Sequence, residues 1–136
     1  VHSLVRVLDR FKSCIFNCAC PSVLSLPKSV QQNLYSPCQR KENIASFLPD
    51  TDVLYMTRIQ RERVISPQLI QVVDTLTPEL LRDAPFHMII LHPLPRTQEL
   101  PPSIDGDSRA KYWEQVKNGL YLRMVLLDFF TNVCHS

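Results

Sequence analysis

Two short apolar runs, each ending abruptly in polar or proline-rich sequence, constrain the fold of this chain more than any other feature. Met88-Ile89-Ile90-Leu91 is continuously apolar and rich in branched side chains, the pattern of a strand buried on both faces of a parallel sheet. It stops at His92-Pro93-Leu94-Pro95-Arg96, where two prolines fix φ and withhold backbone donors. The segment must leave the sheet as a stiff, extended loop whose carbonyls face whatever lies beyond the strand end. The second run, Asp52-Val53-Leu54-Tyr55-Met56, opens directly into Thr57-Arg58-Ile59-Gln60-Arg61-Glu62-Arg63. If the two strands are parallel, both exits lie on one rim, the edge at which open parallel sheets bind ligands. Arg58, Gln60 and Arg63 would then face the proline loop. Guanidinium forks suit carboxylate or phosphate, so the implied ligand is a small anion. The same residues also fit a solvated rim in which Arg58 and Arg63 salt-bridge to Glu62 and its neighbours. Arg96 fits either a ligand contact or a structural partner of Glu99.

At 136 residues the chain has enough sequence for one domain with a moderate core. Its formal charge of +2, without clustering of the basic residues, argues for neither nucleic acid nor a membrane surface. No apolar segment approaches the roughly 20 residues of a membrane span. Cys14, Cys18, Cys20, Cys38 and Cys134 form no paired C-x-x-C knuckles and have no histidine partners. They read as reduced, mostly buried thiols of a cytosolic protein, with neither a metal site nor a disulfide framework.

The remaining sequence alternates helix and strand. Leu4, Val7, Leu8 and Phe11 recur at helical spacing, and an apolar strand over residues 13–19 ends before Pro21. Pro27 suits a helix first turn, with Val30 and Leu34 on one face. Residues 35–42 predict a loop or a poor edge strand, and residues 43–48 a short helix closed by Pro49. Residues 61–77 fit a helix opened by Pro67 or a buried loop about equally. Thr77 is a plausible N-cap, with Pro78 at the first helical position. A long connector over residues 97–107 leads to a last helix over residues 109–134, with Trp113, Val116, Leu120, Leu127 and Phe130 along one stripe. Tyr112, Trp113, Tyr121 and Arg123 on that helix have the spacing of core packing rather than of a base-stacking platform. The pattern predicts an α/β three-layer sandwich around a short parallel sheet.

Four ordered matches then identify a resemblance. Residues 52–63 (DVLYMTRIQRER), 92–96 (HPLPR) and 118–127 (NGLYLRMVLL), with Val1-His2-Ser3-Leu4, resemble the catalytic chain of aspartate carbamoyltransferase. The match runs from Val1 to about Phe130, and the proline after His92 favours the aspartate enzyme over its ornithine relative. The resemblance implies transfer of the carbamoyl group of carbamoyl phosphate to the amine of L-aspartate, without a metal, a cofactor or a covalent enzyme intermediate. By resemblance, Arg58 and Gln60 hold aspartate, while Pro93 and Leu94 act through main-chain carbonyls on the carbamoyl amino group and the aspartate ammonium. Glu62 and Arg63 match a charge network that forms on domain closure. The family's catalytic histidine belongs to the carbamoyl phosphate half, so His92 reads as a residue that ends a strand and hydrogen-bonds locally.

The resemblance further implies an incomplete domain, residues 1–136, of a longer cytoplasmic homotrimer. Such a chain is sometimes fused to other enzymes of pyrimidine biosynthesis. A central strand, an arginine that precedes the Val1 match and the Ser-Thr-Arg-Thr phosphate cradle are not in this sequence. The last helix would pack on the carbamoyl phosphate domain. Residues 35–42 and 64–75 are a few residues shorter than in animal members, and Val64 stands where an aromatic residue or leucine is usual. Two expectations follow: the aspartate-binding segment of an enzyme, or a non-catalytic paralogue that keeps the fold and at most weak dicarboxylate binding.

Overall fold

The computed structural model describes residues 1–11, 13–41, 43–59 and 75–133. Expectations for Gln60, Glu62, Arg63, most of residues 61–77 and Cys134 therefore lie outside the described residues. Helix α1 (His2–Leu8) leads through a turn to strand β1 (Phe16–Ala19), and the short helix α2 (Lys28–Gln31) leads to β2 (Cys38–Lys41). Strand β3 (Val53–Tyr55) and strand β4 (Ile89–Leu91) follow, and the chain ends in α3 (Tyr112–Val133). Among the described residues the strands form two parallel pairs, β1 with β2 and β3 with β4. This is an α/β fold on short parallel sheet segments.

The core explains which sequence signals became structure. Leu76, Met88, Ile90, Leu100, Ile104 and Tyr112 are at most 1 % exposed, together with Leu48, in one cluster around β3 and β4. Each such aliphatic side chain contributes about 1.5–3 kcal/mol through burial. Ile90 is clasped on its open side as well. Its N–H donates to the Arg109 carbonyl at 2.8 Å, and its carbonyl accepts from Lys111 N–H at 2.9 Å. A smaller cluster of Val5, Leu26 and Val30 packs against Phe16, Leu34 and Cys38.

Several local expectations change. Residues 35–42 contain a real strand: Pro37 lacks an N–H but its carbonyl accepts from Phe16 N–H at 2.8 Å, starting the β1–β2 ladder. Strand β1 begins later than expected because Ser13, at φ 108°, turns the chain first. In α1 the buried residue is Val5, while Val7 and Phe11 are largely exposed; the helix ends at Leu8, before a longer stripe can form. Pro49 does not close a helix but sits inside the 3-10 turn Leu48–Asp50. Thr77 does cap, its hydroxyl accepting Leu80 N–H at 3.3 Å, but the element it opens is only the 3-10 turn Leu80–Arg82.

Candidate functional site

Parallel pairing of β3 with β4 puts their exits at one edge. Tyr55 is in register with Leu91, and Met56 N–H donates to the Leu91 carbonyl at 2.9 Å. The next residues on each strand, Thr57-Arg58 and His92-Pro93, therefore leave together on the C-terminal rim. Arg58 is half-buried there, Leu94 is half-buried and Pro93 is exposed.

His92 organises the loop. Its ring is fully buried, and its backbone N–H donates to Gln115 Oε1 at 3.0 Å, one turn into α3. Nδ1 accepts Leu94 N–H at 2.8 Å, and Nε2 meets Glu99 Oε1 at 2.9 Å. Glu99, 1 % exposed, also accepts Thr97 N–H at 2.9 Å and the Thr97 hydroxyl. Burial pushes the Glu99 carboxyl up, but these hydrogen bonds from Thr97 and His92 outweigh it and hold the group below the usual carboxylate range. Leu94 has φ +47°, a left-handed conformation worth about 1–2 kcal/mol against a residue with a Cβ. The Leu94–Pro95 bond is cis.

Arg96 is not the partner of Glu99. It pairs with Asp105 through both guanidinium NH2 groups, one at 2.8 Å, and its guanidinium lies 5.4 Å from the Trp113 ring centroid. The Tyr112 hydroxyl donates to the same carboxylate. Arg96 first, then Tyr112, hold the Asp105 carboxyl at about 2, while burial and this carboxylate push the Tyr112 hydroxyl up to about 12. Nearby, Arg109 grips Asp107 at 2.9 and 2.7 Å and donates to the Leu81 and Ala84 carbonyls at 2.9 and 3.2 Å. Two arginines thus fasten the loop and the α3 entry, and Arg58 lies where β3 leaves the sheet.

The thiols make no comparable site. Cys18 Sγ lies 3.9 Å from Cys38 Sγ, and burial, then its neighbouring thiol, pushes Cys18 up to about 12. Among the described residues no three histidine, cysteine, aspartate or glutamate side chains group as a metal site would. None of the described helices is long and apolar enough to cross a membrane.

The geometry defines a class first: an α/β domain whose parallel strands deliver a proline-rich loop and an arginine to one edge. The family model of the aspartate/ornithine carbamoyltransferase Asp/Orn binding domain matches residues 1–130, and the chain belongs to that family. It is 45% identical over 133 residues to multifunctional protein pyr1-3 of Dictyostelium discoideum, covering 93% of this chain and 6% of that protein. The aspartate carbamoyltransferase catalytic subunit of Alkaliphilus metalliredigens is 38% identical over 143 residues, covering 100% of this chain and 46% of the subunit. In structure, the chain is similar to Trypanosoma cruzi aspartate transcarbamoylase in complex with carbamoyl phosphate and aspartate. The TM-score is 0.84 at 32% identity, over 93% of this chain and 44% of that one. The chain spans less than half the length of these relatives.

Gln115, Glu99 and Asp105 were not legible as site supports. Glu99 was a foreseeable partner of Arg96, but no spacing rule singles out Gln115.

Proposed function

We propose that this chain is the aspartate-binding part of an aspartate carbamoyltransferase. The observation that carries the reading is the shared rim, where the parallel β3–β4 pair brings the Arg58 exit beside the Pro93-Leu94 loop. Arg58 and Gln60 bind the carboxylates of L-aspartate. The Pro93 and Leu94 carbonyls accept hydrogen bonds from the carbamoyl amino group and the aspartate ammonium, orienting both substrates. Glu62 and Arg63 belong to the charge network of domain closure.

Deprotonated aspartate amine attacks the carbonyl carbon of carbamoyl phosphate, forming the new C–N bond and a tetrahedral intermediate. Collapse breaks the bond to the phosphate oxygen, the attacking nitrogen gives up one proton to the departing phosphate, and N-carbamoyl-L-aspartate is the product. Nothing in this sequence of steps requires a nucleophilic side chain. Catalysis rests on holding two anionic substrates in attack geometry and on stabilising the developing charge.

Leu120, Leu127 and Phe130 on α3 are 55–68% exposed, and a carbamoyl phosphate-binding domain is the proposed cover for that face. The whole protein is proposed as a cytoplasmic homotrimer, and the likeness to multifunctional pyr1-3 supports fusion to other pyrimidine-pathway enzymes. The test is steady-state kinetics of the full chain with each substrate varied in turn. Arg58→Ala should raise the aspartate requirement and leave carbamoyl phosphate binding nearly intact. Aspartate binding without turnover would leave the non-catalytic paralogue as the reading.

A further inference from the structure

We infer that His92 is a positioning residue, which aims the Pro93 carbonyl out of the rim through a ring tautomer set by Glu99. The inference rests on the proposed carbamoyl transfer, because it concerns a carbonyl that reading places against substrate.

His92 Nδ1 accepts Leu94 N–H at 2.8 Å, and a ring nitrogen that accepts carries no hydrogen. The ring proton therefore sits on Nε2, where it donates to Glu99 Oε1 at 2.9 Å. Among the described residues Glu99 faces only donors: the imidazole, Thr97 N–H and the Thr97 hydroxyl. An acceptor-only carboxylate in that place admits one tautomer, as a carboxylate hydrogen-bonded behind a metal-ligating histidine does. The ring has no freedom to tilt, since His92 and Glu99 are 0% and 1% exposed and the His92 backbone is tied to Gln115.

The consequence runs through one peptide plane. The Pro93–Leu94 peptide is trans, the cis bond lying one residue later. In a trans peptide the carbonyl and the N–H point in opposite directions. With Leu94 N–H directed at the buried imidazole, the Pro93 carbonyl must point away from it, out of the core. The same bond holds Leu94 at φ +47°, so the direction of the following carbonyl depends on it as well. Proline loops expose carbonyls in general; here a buried histidine decides which way one of them faces.

The experiment compares two substitutions at one position in the full chain. His92→Asn keeps an oxygen acceptor close to the Nδ1 position, within reach of Leu94 N–H, but cannot reach Glu99. His92→Gln keeps a donor near the Nε2 position for Glu99 but has no acceptor beside the backbone. Carbamoyl transfer, thermal midpoint and equilibrium binding of carbamoyl phosphate are measured for each. Carbamoyl transfer by His92→Gln is expected to fall roughly tenfold below that of His92→Asn, the factor one neutral hydrogen bond is worth. The fall should appear even where His92→Gln is the more heat-stable of the two.

Activity that simply tracks the thermal midpoint would overturn the inference and make His92 a purely structural residue. Turnover by the wild type with His92→Gln equal to or above His92→Asn would overturn it alone. No turnover by the wild type would overturn it together with the proposed function. A second measurement needs no variant to fold: ring 15N shifts of wild-type His92. A proton on Nε2 is the required result, and a proton on Nδ1 would refute the assignment.

Discussion

Glu99→Ala should open the loop that carries the site, and the structure sets the size of the effect. The carboxylate, 1% exposed, accepts from His92 Nε2, Thr97 N–H and the Thr97 hydroxyl. Hydrogen bonds to a charged group contribute about 1.5–3 kcal/mol each, so the gross loss is roughly 5–9 kcal/mol. Water entering the vacated space and a rotated Thr97 hydroxyl recover part of that. The remainder is about 3–5 kcal/mol, the usual consequence of removing one partner from a buried charged group. Glu99→Gln keeps an oxygen for the His92 and Thr97 N–H groups, and its amide NH2 can donate to a reoriented Thr97 hydroxyl, so a loss of only about 1 kcal/mol is expected. Amide exchange at Leu94 and Thr97 in the full chain reads this locally, without assuming that all domains unfold together. Exchange should accelerate by roughly 150- to 5,000-fold in Glu99→Ala and by less than about tenfold in Glu99→Gln. Equal rates in the two variants, or less than a tenfold change in Glu99→Ala, would show that the carboxylate does not hold the loop.

Arg58→Ala in the full chain should lower kcat/KM for aspartate by roughly thirty- to several-thousand-fold, the about 2–5 kcal/mol of a lost charged partner. Carbamoyl phosphate binding, measured by calorimetry, should change little. Acid should release the Arg96–Asp105 pair late. Asp105 sits at about 2 against an ordinary 3.8, so its stabilisation is present above pH 3.8 and is lost as pH falls through about 2. Fluorescence of Trp113, the single tryptophan of these 136 residues and close to the Arg96 guanidinium, should report that window, and Arg96→Lys should move it toward 3.8. Residues 1–136 expressed alone should form no N-carbamoyl-aspartate and should associate with rising concentration, as sedimentation would show; turnover by a stable monomer would refute this.

The parts of the fold legible in the sequence are those where burial alone chooses the residues. Ile89, Ile90 and Leu91 are apolar because β4 is covered by β3 on one side, by residues 109–111 on the other and by the core cluster. Proline then ends the strand for a local reason, and parallel pairing follows from the same double burial. Strand β2 was obscured because Cys38-Gln39-Arg40-Lys41 is mostly exposed, so its side chains carry no alternation. What makes it a strand is the β1 backbone beside it, a tertiary fact. The apolar stripe of α3 was visible as a stripe, yet Trp113, Leu120, Leu127 and Phe130 are all more than half exposed in this structure. Periodicity identifies a face, but nothing within it says what lies opposite.

The rim divides along the same line. That Arg58 and the proline loop share an edge follows from two strand ends and the sense of one pairing. Which acid serves which base does not. His92 takes Glu99, Arg96 takes Asp105 and Arg109 takes Asp107, three pairs formed within a stretch where three carboxylates compete. Sequence separation favours Arg96 with Glu99, only three residues apart. The turn instead carries Glu99 inward to the buried imidazole, while the 3-10 turn Pro102–Ile104 swings Asp105 back to Arg96 at the α3 entry. Burial makes that choice. A carboxylate that is 1% exposed must find donors for both oxygens, and the imidazole with the Thr97 N–H and hydroxyl supplies them without a second full charge. Arg96 is left to the more exposed Asp105, where its guanidinium also packs against Tyr112 and Trp113. The loop is therefore held from inside by a tautomer and from outside by an ion pair. The Pro93 and Leu94 carbonyls and Arg58 are the described rim groups proposed for substrate.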